Sequence, residues 1–309
     1  MEVIGVGDAD VDIYLDVDHI PGRDEKLLAR RVDLCPGGMV ANFLVALCRL
    51  GTTCGFHGPV GDDEFGRRVL DSLAANGVDI SGAVVKPGGQ TYFCTVMLDE
   101  SGEKSLVVAP TDCLFPQPED VDAEVIAQAC HLHTTAAVIP TASKAVRIAK
   151  QHGLTVSLDL EASNARHPDM PALLADVDVL FVNQGALRLL NNSGSPQEVA
   201  ERLLEYGPSV VCVTMGAAGA LVASADGSLQ VAVFPVTVVD STGAGDCFAA
   251  GCVHGFLKGW PLSATATFAS AVGAISVTQR GGHTGTPTAD EVRAFLASRG
   301  YDLAQWLQS

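Results

Sequence analysis

From Asp240 to Asp246 the chain reads Asp-Ser-Thr-Gly-Ala-Gly-Asp, setting two carboxylates, two hydroxyls and two glycines within seven residues. The β-branched residues before this run predict a strand. Gly243-Ala244-Gly245 predict a turn, and the small-residue stretch to Phe256 predicts a helix with Asp246 in its first turn. Backbone N–H groups at such a helix start are unpaired and lie at the positive end of the helix dipole, which suits an anion. A carboxylate whose only task was to complement that dipole would compete with the anion. It makes chemical sense as a base that takes a proton from a hydroxyl held beside a phosphate. An Asp with an ordinary pKa near 3.9 is ionised at neutral pH and can do so. The N–H groups of Gly243, Ala244 and Gly245 would then form a preorganised hole for charge developing on a phosphoryl group.

A second set of polar residues lies near the N-terminus. Asp10 and Asp12 alternate along a strand and therefore share one face; with Asp8, they otherwise read as a solvated strand end. Paired carboxylates suit sugar hydroxyls, and the Asn42 amide can both donate and accept. Gly37-Gly38 would let a ligand approach the backbone. Thr214-Met215-Gly216-Ala217-Ala218-Gly219 and Asn183 follow apolar strands, at the strand ends where open α/β sheets gather their ligands. Ser270, Gly273 and Ala274 on a small-residue helix could make room for a flat base, although close helix packing explains them almost equally well.

The run Asp240–Asp246 resembles the C-terminal signature of the ribokinase-like (pfkB-type) carbohydrate kinases. Gly37-Gly38-Met39-Val40-Ala41-Asn42, followed by an apolar helix to Leu50-Gly51, resembles their N-terminal signature. The likeness extends from Gly5 to about Leu296, and two signatures in the right order are far more specific than one glycine motif. It implies ATP-dependent phosphorylation of a sugar hydroxyl, with Asp246 as base and Asp10, Asp12, Gly38 and Asn42 at the acceptor. Thr214, Gly216 and Gly219 match a T-x-G-x-x-G nucleotide motif, joined by Asn183 and Ser270. The resemblance also implies Mg²⁺, and a K⁺ site built from Asp240, Thr242, Ser276, Gln279, Gly281 and Gly285.

The family's Asn-x-x-Glu, whose Glu helps organise Mg²⁺ and phosphate, is here Asn183-Gln184-Gly185-Ala186. Asp159 or Glu161 could substitute. Ribokinases place a substrate-binding Glu near Thr134-Thr135, so ribose is not favoured, and Arg166 is one candidate cation for a phosphosugar. The same scaffold accepts nucleosides, and a non-catalytic sugar or nucleotide sensor is the alternative from another class. An oxidoreductase is disfavoured because Gly5-Val6-Gly7 lacks the third glycine of a dinucleotide fingerprint.

The elements that must position these residues follow from periodicity. Val/Ile/Leu-rich strands alternate with helical stretches, as in βαβ units. The expected fold is α/β, with three ribokinase-like layers around a mostly parallel central sheet and a small β-sheet lid. One kinase domain would occupy 1–309, with lid strands inserted at approximately 10–34 and 90–109 and a hairpin turn at Glu100–Glu103. In this family the lid covers the sugar and often makes a homodimer contact. A formal charge of −17 argues against nucleic acid as a partner. No apolar run suits a bilayer, and the N-terminus reads as a strand rather than a signal peptide. Nine scattered cysteines without a C-x-x-C pair read as buried, reduced thiols of a cytoplasmic protein. His131 and His133 read as core histidines rather than metal ligands.

Overall fold

Residues alternate sides along a strand, and here that alternation divides the apolar core in two. Val179 and Phe181 pack with one helical layer, Leu180 and Val182 with the other. In the computed structural model, described over residues 1–100, 104–190 and 194–301, the strands are β1 (Val3–Val6), β2 (Asp10–Asp16), β3 (Arg31–Gly37), β4 (Cys54–His57), β5 (Pro59–Gly61), β6 (Val84–Lys86), β7 (Phe93–Leu98), β8 (Lys104–Ala109), β9 (His131–Thr135), β10 (Thr155–Leu160), β11 (Val179–Val182), β12 (Val210–Thr214), β13 (Ala220–Ser224) and β14 (Gly227–Val231). The helices are α1 (Met39–Arg49), α2 (Glu64–Ala75), α3 (Ala123–Ile126), α4 (Ile139–Gln151), α5 (Met170–Leu174), α6 (Gln184–Leu190), α7 (Pro196–Leu204), α8 (Ala244–Leu257), α9 (Leu262–Ser276) and α10 (Ala289–Ala297). An eight-stranded sheet runs β14-β13-β12-β11-β10-β9-β1-β4, parallel from β12 to β4 and antiparallel at β13 and β14. Helices α1, α2, α8, α9 and α10 cover one face; α3 to α7 cover the other. Burial on both faces explains the near-continuous apolar composition of these strands.

The lid is a separate sheet of order β3-β2-β7-β8. Its second strand is Arg31–Gly37, so the first lid pair runs past the limit of about residue 34 expected from the sequence. Asp10 pairs with Gly37 and Asp16 with Arg31, so β2 has no further residues for anything before Arg31. The other pair, β7 and β8, falls where expected, but Ser101–Glu103 of its turn lie outside the described residues.

The reading of the cysteines changes, while that of the two histidines holds. Cys48 and Cys54 are joined as a disulfide between the end of α1 and β4, and Cys130 is exposed, so the nine cysteines are not all buried thiols. His131 and His133 both share hydrogen bonds with Ser157, and His131 shares another with Thr155. Burial lowers them to about 4 and about 3, which keeps both neutral inside the core.

Asp8 is not a solvated strand end. Helix α1 starts at Gly38, where φ is 101° and a Cβ would collide with the backbone of Ala9. With no side chain at this N-cap, the Asp8 carboxylate accepts from Met39 N–H at 3.0 Å and Val40 N–H at 3.2 Å. It also accepts from the Tyr92 hydroxyl at 2.7 Å. Asp8→Ala would leave these donors unpaired, and the expected loss is on the order of 2–3 kcal/mol. An unchanged thermal midpoint would show that α1 does not depend on this cap.

Candidate active site

The helix start predicted at Gly243-Ala244-Gly245 is the N-cap and first two residues of α8. Gly243 is left-handed, with φ 76°, and no side chain caps the helix. Its Cα packs toward Gly282 and the Asn42 amide, where a Cβ would be crowded. The Ala244 N–H reaches only the Ser241 carbonyl, at 3.4 Å. At Gly245 a Cβ would meet no protein atom within 4 Å. The turn thus presents an open, uncapped N-terminus, as an anion hole requires.

Asp246 lies half-buried in the first turn of α8. The Asn42 side-chain amide donates to its Oδ2 at 2.9 Å, joining the N-terminal regions of α1 and α8. Asn42, expected from the sequence at the acceptor, is therefore bonded to the candidate base. Burial raises Asp246 to about 7, helped by the charges of Asp8, Glu161 and Asp12 and opposed by the Asn42 donor. The sequence expectation of a fully ionised Asp at neutral pH is corrected accordingly. A base poised near neutrality is better matched to proton transfer than one with a pKa near 4.

Asp10 and Asp12 lie side by side in β2, only 3 % and 5 % exposed, facing Gly37 across the pairing with β3. Any Cβ at Gly37 would strike both carboxylates. One oxygen of Asp10 accepts from the Cys94 thiol at 3.3 Å, while its other oxygen is buried without a partner. Desolvation and the neighbouring carboxylates raise both groups, Asp12 to about 7. Unsatisfied buried acceptors of this kind are what a polyol's hydroxyls would fill.

The nucleotide candidates separate into two groups. Thr214, Gly216, Gly219, Ser270, Gly273 and Ala274 line one cleft of about 500 Å³, which also reaches Ser241, Ala244 and Gly245. Phe234, Val236, Phe248 and Val277 supply apolar walls suited to a flat base. The Ser270 hydroxyl is spent on the Ala232 carbonyl, at 3.1 Å. Asn183 does not line the cleft; its Oδ1 caps α6 by accepting from Ala186 N–H at 2.8 Å. Ala186 itself is 0 % exposed in the core and does not line the cleft. Asp159 and Glu161 instead exert their charge on the Asp246 side, Glu161 on Asp246 itself and Asp246 on Asp159. One Asp159 oxygen is buried without a partner. Arg166 is exposed and donates to the Leu189 carbonyl.

Asp240 is buried next to the loop that follows α9. Its Oδ1 accepts from Thr242 N–H and the Thr242 hydroxyl, at 3.0 and 2.8 Å. Its Oδ2 accepts from the Tyr14 hydroxyl and Gly281 N–H, at 2.7 and 3.0 Å. Burial pushes Asp240 up, but these four donors outweigh it and hold the carboxyl below its ordinary range. They also use the roughly four acceptor positions of a carboxylate. Gly285 packs against the Ser276 carbonyl, and Gln279 is exposed. These residues therefore do not offer K⁺ a free carboxylate oxygen, and no step is assigned to that ion.

Several participants have no sequence motif. Tyr14 follows the same alternation as Asp10 and Asp12, a signal that was available. Lys104 reaches across from the lid to Ser241 and Thr242, each at 3.3 Å, and nothing in its local sequence marks it. Arg280 pairs with Asp16 and Asp33 at 2.8 and 2.9 Å, tying the loop after α9 to both β2 and β3.

Asp12 and Asp246 ionise near pH 7 in the folded chain but near 4 when unfolded, and Asp10, Asp159 and Glu161 are raised in the same direction. Between these limits the unfolded chain releases protons that the folded chain keeps, so stability falls as pH rises. The thermal midpoint of the ligand-free protein should be several degrees lower at about pH 8 than at about pH 5. A midpoint that rises over this interval would contradict the assignment of these carboxyls.

Comparison with known proteins agrees with this geometry. The chain is 32% identical over 299 residues to an ATP-dependent ribose-1-phosphate kinase of Halopiger xanaduensis, covering 97% of this chain and 99% of that one. It is 32% identical over 300 residues to a fructokinase of Klebsiella pneumoniae, covering 91% and 96%. A crystal structure of a putative ribokinase II from E. coli, in complex with ATP and Mg²⁺, superposes with a TM-score of 0.85 at 28% identity, over 96% of this chain and 99% of that one. The pattern described as pfkB family carbohydrate kinase matches residues 2–289. Two signatures joined by the Asn42–Asp246 hydrogen bond, and a family match over nearly the whole length, place this chain in the pfkB family of carbohydrate kinases.

Proposed function

We propose that the chain transfers the γ-phosphoryl group of Mg-ATP to a hydroxyl of a pentose or hexose, with Asp246 as general base. The observation that carries this reading is the Asn42–Asp246 hydrogen bond, which sets a base poised near neutrality between the acceptor residues and the α8 N-terminus. The acceptor oxygen attacks the γ-phosphorus as its proton passes to Asp246. The bond to the β–γ bridging oxygen breaks, and its electron pair leaves with ADP. N–H groups of Gly243, Ala244 and Gly245 meet charge on the transferring group. Asp10 and Asp12 orient the sugar. The base of ATP occupies the cleft beside Gly216 and Gly273.

The carboxylates Asp159 and Glu161 fit a hard cation, since one Asp159 oxygen is buried without a partner. They would hold Mg²⁺, which neutralises phosphate charge when bound. The names of the relatives, ribose-1-phosphate kinase and fructokinase, support a sugar acceptor.

Asp246→Asn should lower kcat by about 10³-fold while changing the affinity for ATP less than about threefold. For the unaltered enzyme, kcat/KM should rise with pH and level off above about 7, because the base works only when deprotonated. Both are read from phosphorylated product with a panel of sugars and Mg-ATP; a variant keeping most of its kcat would remove Asp246 from the base role.

The lid also supports a homodimer. Val32 and Leu34 on β3, and Leu106, Val107 and Val108 on the edge strand β8, are exposed apolar side chains on one small sheet. Such an edge invites pairing with a second copy. Sedimentation should give a dimer that Val107→Asp shifts to monomer, and a monomeric wild type would end this reading.

A further inference from the structure

Lys104 opens β8, yet its ammonium lies against the turn that begins α8. It donates to the hydroxyls of Ser241 and Thr242, both at the long distance of 3.3 Å, and stands 4.0 Å from Asp240. The Asp240 oxygen it faces already accepts from Thr242 N–H and the Thr242 hydroxyl, so this ion pair is loose. The Lys104 side chain is 38% exposed, and exposed pairs of this length contribute little stability. Ser241 lines the nucleotide cleft, placing the ammonium at its phosphate end. The same charge also acts on Asp12 at the acceptor. Arg280, next in sequence to Gly281, is held by Asp16 and Asp33. Carboxylates crowd the rest of the site, so a triphosphate and a transferring phosphoryl group need a cation there.

We propose that Lys104 is a catalytic cation delivered by the lid, which leaves the Ser241 and Thr242 hydroxyls to contact the γ-phosphoryl oxygens of bound ATP during transfer. The proposal rests on the kinase reading. Lys104 gains and loses no proton; it balances negative charge as the phosphorus passes from the ADP oxygen to the sugar oxygen. The gain should appear mainly in the transition state, where that charge is being redistributed. Because the lysine belongs to the lid and its target to the core, the charge is in place only when the lid lies over the cleft.

The test compares Lys104→Gln and Lys104→Arg with the unaltered enzyme. Lys104→Gln should lower kcat about 10²-fold, with KM for the sugar and the thermal midpoint little changed, and Lys104→Arg should recover most of the loss. Lys104→Gln should also weaken a non-hydrolysable ATP analogue at least tenfold more than ADP, which lacks the γ-phosphoryl group. A kcat within threefold of the original, or a change confined to the sugar KM, would overturn the proposal. If the unaltered protein phosphorylates no sugar in the panel, the kinase reading fails by itself. The analogue-versus-ADP comparison then decides the Lys104 contact: equal weakening of the two ligands refutes it.

Discussion

The site depends on one hydrogen bond, from Asn42 to Asp246 at 2.9 Å, which joins residues 204 positions apart. Each partner lies in the opening turns of a helix, and both helices pack on the same face of the sheet. If either helix shifted along its axis, Asp246 would separate from the amide that holds it and from the N–H groups beside it. Much of the surrounding structure limits such a shift. Asp8 anchors the start of α1, Gly282 packs directly on the Asn42 amide, and Gly243 permits the left-handed turn into α8.

The electrostatics pull in the opposite direction from this order. Asp8, Asp10, Asp12, Asp159, Glu161 and Asp246 converge on one region, and several are deprived of water. Concentrating like charges costs stability that a purely structural protein would have no reason to forgo. Asp240 shows the alternative solution. Its four donors hold it ionised and make it a fixed charge, whereas Asp10 and Asp159 each keep a buried oxygen without a partner. The contrast between a satisfied acid and under-satisfied ones can be read directly from their hydrogen bonds.

The layered fold was legible because its signals are local. Helices α1 and α8 end within a residue or two of where the sequence places their ends, and alternation put Asp10 and Asp12 on one face. The glycine turn and its acid were likewise visible as a contiguous motif. Long-range relations were not. Register moved the second lid strand to Arg31–Gly37, a choice made by pairing with β2 rather than by its own residues. Asn183 looked like a ligand at a strand end but serves as the cap of α6. Lys104 could not be found from sequence, since its importance comes only from the distance between a lid strand and a turn more than a hundred residues away.

The raised carboxyls also alter the solution chemistry of binding. Near neutral pH the folded chain carries less negative charge than its formal −17, because Asp12 and Asp246, raised by burial to about 7, are partly protonated there. A cation or a set of donor hydroxyls that favours their ionised forms must expel those protons into the buffer. Ligand uptake and acid release are then a single equilibrium. The heat measured on mixing therefore includes the ionisation enthalpy of whichever buffer receives the protons.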